Sequence, residues 1–136
     1  MLNSLQNPLA LVGRILLALM FVLAGASKLG GFAGTVGYMQ AKGVPAASFL
    51  AVLTIILELG GGLALVFGLF TRWVALAMGL FTILVSFIFH NYWAMPEAQQ
   101  MANQLFFMKN ISVAGGMFVL AAFGAGAFSL DARRGR

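Results

Sequence analysis

The stretch LTIILELGGG, Leu53 to Gly62, sets one glutamate, Glu58, inside one of the most apolar runs of the chain, with no basic residue within ten positions of it. A carboxylate in such a run is tolerable only if it turns to a protein interior and meets a cation or a donor from another segment. Composition says which kind of interior this is. Hydrophobic residues make up 62% of the 136 residues and charged ones 8%, against roughly 45–50% and about 25% in soluble domains. A soluble domain of this length cannot hide so much apolar surface, so the solvent for most of it is lipid.

The net charge is +5 and the isoelectric point about 10.5. Nucleic acid is not the implied partner. The basic residues stand singly except in the terminal RRGR, with no basic aromatic patch. The bias fits membrane orientation. There is no cysteine, which excludes disulfides, thiolate metal sites and a CxxC redox pair within this chain. No metal site and no covalently bound cofactor is expected, and electron chemistry would need a bound cofactor or a partner.

Around Glu58 the chain divides into four apolar segments, residues 8–27, 46–70, 73–90 and 104–128, each near the ~20 residues that cross a bilayer. They must be helices, because lipid offers no partner to a free amide. LAGAS at residues 23–27 has the look of a cleavage site, but no basic region precedes the first segment and Arg14 lies inside it, so it reads as a retained span. Residues 1–136 are expected to form one transmembrane domain. In the first connection, residues 28–45, Phe32, Val36 and Met39 share a face and Gly43 and Pro45 end it. This spacing predicts a short amphipathic helix on the membrane surface, with a glycine-rich loop as the alternative. GLFTRW makes a tight second connection. In the third, Tyr92 and Trp93 suit the interfacial belt, and Pro96 and Glu97 suit the first turn of a short helix leading into the fourth span. With four spans, Arg72, Arg133, Arg134 and Arg136 share the side of both termini, against Lys28 and Lys42 opposite. This places the termini in the cytoplasm.

Four ionisable residues fall at membrane depth: Arg14, Glu58, His90 and Lys109. Counting ~1.5 Å per residue from the span centres puts Arg14 about 5 Å from the level of Glu58, so Arg14 is the expected partner of Glu58. Lys28, His90 and Lys109, with Asn110 beside it, form a second layer ~10 Å farther out. The polar and small residues fall on one stripe per span: Arg14, Ala18, Phe21, Gly25 and Lys28; Thr54, Glu58, Gly61 and Gly62; Gly79, Thr82, Ser86 and His90; Lys109, Ser112 and Gly116. An all-α, left-handed antiparallel four-helix membrane bundle with a polar interior follows. Each feature also has a plainer reading. Arg14 with Glu58 can be a structural clamp, Lys28 can snorkel to the headgroups, and His90 can be an interfacial histidine.

GRILLALMFVLAGASKL (13–29), LELGGGLALVFGLFTR (57–72), FHNYW (89–93) and FFMKNISVAGG (106–116) together resemble the DoxX family of small bacterial membrane proteins. The resemblance implies a four-helix inner-membrane protein. It carries Arg14, Lys28, Glu58, His90, Lys109 and Asn110 as family positions, and it implies a terminal-oxidase, quinone-linked or oxidative-stress setting. On that footing a quinone-linked redox subunit is the first expectation. Lys109, Asn110 and His90 would bond the quinone carbonyls, and Glu58 and His90 would be the candidates for moving protons. Electrons would come from a partner redox protein, and membrane lipid and a second copy of the chain are the other expected partners. A carrier or binding protein for a small acidic or amphipathic molecule, and a non-catalytic scaffold that anchors a soluble enzyme, are the alternatives.

Overall fold

The computed structural model describes residues 2–135, and among them all regular structure is helical. Four helices are long and apolar enough to cross a membrane. They are α1 (Leu2–Gly30), α3 (Ala47–Phe67), α4 (Thr71–Phe89) and α5 (Glu97–Phe123); α2 (Phe32–Ala41) and α6 (Leu130–Arg133) are short. Gly68, at φ 69, ends α3, and Phe70, at φ 49, starts α4, so the GLFTRW connection is as tight as expected. Pro96 and Glu97 open α5 itself, and only a single 3-10 turn, Tyr92–Ala94, precedes it. The fourth span stops at Phe123, five residues short of the expected end at 128. Gly124 and Gly126 take φ 85 and φ 80 there, the left-handed region that breaks a helix.

α1 packs along α3, and α4 packs along α5. Between the pairs lies a core of Ala18, Phe21, Leu65, Ala75, Met78 and Met117. The stripes read on the first three spans are the buried ones. Arg14, Ala18, Phe21 and Gly25 are buried on α1, Thr54, Glu58 and Gly62 on α3, and Gly79, Thr82 and Ser86 on α4. Each hydroxyl of Thr82 and Ser86 donates to the carbonyl four residues back, at 2.7 Å, which lets it lie among apolar neighbours. On α5 the expected face is wrong. Asn110, Ala114 and Met117 are buried, whereas Lys109 and Ser112 are exposed, and the Ser112 hydroxyl donates to Met108. Polarity is a poor guide to facing on this helix, because the residues that pack against α4 are mostly apolar.

Two glycines set how α1 and α3 meet. A Cβ at Gly25 would stand 2.7 Å from the Leu59 amide nitrogen, and one at Gly62 would stand 2.8 Å from the side chain of Val22. Backbone cannot yield as a flexible side chain can, so Gly25→Ala must push α1 away from α3. We expect it to lower stability by about 1–3 kcal/mol, read as a lower midpoint of thermal unfolding in detergent, whereas Gly30→Ala, facing open space, leaves the midpoint unchanged.

The apolar face of α2 is not spread on a membrane surface, as its sequence suggested. Phe32, Val36 and Met39 fold back onto Val44, Ala47, Ala51 and Phe89, and Tyr38 stacks on Phe89 with ring centroids 5.5 Å apart. This roofs the end of the bundle opposite the termini.

Candidate functional site

Glu58 lies within a single π-helical turn, Ile56–Gly61, inside α3. Such a turn widens the helix by one residue and re-aims the side chains on it. Glu58 is 7% exposed. Its partner is not Arg14: the Lys28 ammonium donates to Glu58 Oε2 at 2.9 Å. The glycine contacts fix the reason. Gly25 faces Leu59, and Gly62 faces Val22 and Ala18, so Glu58 stands level with residues near 25 of α1. Lys28 is about one turn away and Arg14 ~17 Å away along the axis. Matching span centres failed because the first part of α1 runs past the end of α3. There it is covered by the segment after α5, where the Ala127 amide donates to Asn7 Oδ1 at 3.1 Å and Gly126 sits against Ala10.

Arg14, 2% exposed, belongs to that junction. Its guanidinium donates to the carbonyls of Ala125 at 2.6 Å, Phe128 at 2.9 Å and Val66 at 3.2 Å. One planar cation thus ties α1 to the end of α3 and to the chain leaving α5, using the fork geometry that lysine lacks. Nearby, Asp131 of α6 accepts from the amides of Phe70 and Thr71, both at 2.8 Å, and so caps α4. Burial pushes this carboxyl up, but the hydrogen bonds from Thr71 and Phe70 and the Arg134 cation outweigh it and hold the group below its ordinary range.

The other five singled-out residues converge. Lys28, Glu58, His90, Lys109 and Asn110 all line one cavity of about 300 Å³. Its remaining walls are mainly apolar, with Met20, Phe21, Phe81 and Phe89 among them, and α2 contributes Thr35, Tyr38 and Met39. A volume near 300 Å³ and an apolar lining with a few convergent polar groups are what a small-molecule site requires. Lys28 and Glu58 neutralise one another. The Lys109 ammonium makes no hydrogen bond or ion pair among the described residues; its nearest aromatic neighbour is the Phe106 ring, 5.7 Å to the centroid. Asn110, 7% exposed, has no hydrogen-bond partner for its amide among the described residues. His90, at the end of α4, meets Asn103 of α5 through Nδ1 and Oδ1, 3.0 Å apart.

Thr35, Tyr38 and Asn103 were not singled out from the sequence. A signal for Asn103 was present, since it stands seven residues before Asn110 and so shares its stripe. The signal for Tyr38 and Thr35 depends on α2 turning inward, which the sequence did not show. No group of three or more His, Cys, Asp or Glu able to hold a metal occurs among the described residues.

Comparison with known proteins gives a consistent picture. The chain is 45% identical to inner membrane protein YqjF of Escherichia coli, over 96% of this chain and 95% of that protein. It is 38% identical to inner membrane protein YphA of the same organism, over 92% and 89%. It is 27% identical to ER-derived vesicles protein ERV29 of Saccharomyces cerevisiae, over 97% of this chain but 36% of that protein. No solved structure matches. The DoxX family profile matches residues 9–91, which run from α1 through α4 and take in Lys28, Glu58 and His90. Four spans, this match and two bacterial relatives covered almost end to end make the chain an integral membrane protein of the DoxX family.

Proposed function

We propose that the cavity binds a small, flat, amphipathic molecule with oxygen functions on its ring, of the quinone class, and that the protein is the membrane subunit of a quinone-linked redox system whose electrons pass through a partner. The observation that carries this reading is the Asn110 amide, on a residue only 7% exposed, which opens into a mainly apolar cavity and has no protein partner among the described residues. An amide that opens on a mainly apolar wall with its donors and acceptor uncommitted is placed to bond a ligand. Lys109 adds donors beside it, and the aromatic and methionine walls suit a flat ring. The lone charge of Lys109 supports a second reading, a small organic anion in the same place.

We also propose that the termini face the cytoplasm and the cavity lies in the opposite leaflet. Lys28 turns inward to Glu58, so Lys42 faces Arg72, Arg133, Arg134 and Arg136 nearly alone in the count of loop charges.

The test is binding of decylubiquinone and decylubiquinol to the purified protein in lipid nanodiscs, compared with Asn110→Leu. No protein group loses a partner in that variant, so its thermal midpoint should hold while affinity for the bound form drops about tenfold. Neither molecule binding, or both binding Asn110→Leu as they bind the wild type, overturns the quinone reading. Benzoate competing at low salt but not at high salt would move the assignment to an organic anion.

A further inference from the structure

The hydrogen bonds around His90 fix which of its nitrogens carries the proton, and this selects the form of the ligand. Asn103 Nδ2 donates to the Gln99 carbonyl at 2.9 Å. That bond sets the orientation of the Asn103 amide, so the atom facing His90 Nδ1 at 3.0 Å is the carbonyl oxygen Oδ1. An amide oxygen only accepts, so Nδ1 must be the donor. In the neutral ring the proton is then on Nδ1, and Nε2 is a bare lone pair. His90 lines the cavity, Asn103 is outside its lining, and Nε2 has no partner among the described residues. A second acceptor lies in the same cavity. Glu58 commits Oε2 to Lys28, and its Oε1 has no partner among the described residues.

The cavity thus offers both kinds of group: acceptors at His90 Nε2 and Glu58 Oε1, and donors at Lys109 and Asn110. A quinone carries only acceptors on its ring oxygens. It would answer the donors and bring lone pairs toward the two acceptors. A hydroquinone answers both, because each phenolic oxygen donates one hydrogen bond and accepts others.

We infer that the cavity selects its ligand in the hydroxyl-bearing, hydroquinone form, and that Asn103 is the positioning residue that imposes this choice by holding His90 in the Nδ1–H tautomer. The inference rests on the quinone-class reading of the cavity and goes beyond it in naming the form bound and a residue that acts through another. Discrimination of this kind is strong, because a site built to receive a hydroxyl leaves its own buried groups unpaired when the hydroxyl is missing.

His90 is the only histidine of the chain, so nitrogen-15 NMR of protein labelled at histidine, purified through a tag without histidine, reads this one ring directly. At a pH where the ring is neutral, the expected spectrum shows protonated Nδ1 and unprotonated Nε2. In parallel, decylubiquinol should bind about tenfold or more tightly than decylubiquinone, the cost of two cavity acceptors left facing lone pairs. Asn103→Leu should mix the tautomers and bring the affinity ratio toward one, with both forms still bound and the thermal midpoint little changed. A wild-type ring protonated at Nε2, equal affinities for the two forms, or a ratio that Asn103→Leu leaves intact would each overturn the inference while the quinone reading stands. Failure of both molecules to bind overturns the two together. The wild-type tautomer and affinity ratio decide the matter even with a variant that does not fold.

Discussion

Arg14→Met should lower stability by about 3–5 kcal/mol, the largest single effect expected in this protein. The loss is not that of an ion pair. It is the loss of three charge-assisted bonds to the carbonyls of Ala125, Phe128 and Val66. Ala125 is itself buried, and its carbonyl accepts from no other donor among the described residues. Methionine fills much of the volume but donates nothing, so buried acceptors are orphaned. Arg14→Lys should recover little, because an ammonium is a compact charge on a single stem and cannot fork across carbonyls from two directions. Nothing in this junction touches the cavity, so whatever folded Arg14→Met protein remains should bind ligand with unchanged affinity. The checks are reversible unfolding in detergent micelles and ligand titration of the folded fraction. Full stability in Arg14→Met, or a specific loss of affinity without a loss of stability, would refute this assignment of the residue.

The second prediction follows from the true partner of Glu58. Lys28→Met strips a carboxylate at membrane depth of its bonded cation, and should cost about 3 kcal/mol. Glu58→Leu should cost less. The Lys28 side chain is 30% exposed against 10% for Glu58, and a freed lysine near the end of α1 can turn its ammonium toward the interface. The double variant should be close to wild type in stability, since apolar replacement of both members of a buried pair is often tolerated. All three should lose ligand selectivity, because the acceptor Oε1 is lost or its orientation released. A thermodynamic cycle over the four proteins measures the coupling directly. A coupling near zero for Lys28 with Glu58, or a sizeable one for Arg14 with Glu58, would contradict the geometry.

The two predictions mark a division of labour along the molecule. At the end carrying the termini, Arg14, Asp131 and Ser129 hold the loops together. Ser129 accepts from the Ala132 amide and donates to the Gly126 carbonyl. Gly68 is confined there, since a Cβ on it would run into Ser129 and crowd Arg14. At the other end, Lys28, Glu58, His90, Lys109 and Asn110 surround a cavity, with α2 as part of its wall. Both ends draw on the same buried stripe of α1. Its polar members, fourteen residues apart, therefore serve different purposes.

Much of this was legible in the sequence. The four spans follow from composition, because backbone in lipid has no alternative to the helix. The inward stripes of α1, α3 and α4 follow from spacing, because small and polar residues at helical intervals are unsuited to acyl chains. Five of the six candidate site residues share one cavity for the same reason. Pairing was another matter. The level at which two helices meet is set by which residues let their backbones touch. Gly25 against Leu59 and Gly62 against Val22 shift Glu58 toward Lys28 and away from Arg14. The π-turn at Glu58, the inward fold of α2 and the contact between His90 and Asn103 likewise depend on neighbours remote in sequence. Periodicity along one helix reports which face turns inward but is silent on register between helices, and hydrogen bonding across the bundle depends on register to within one turn.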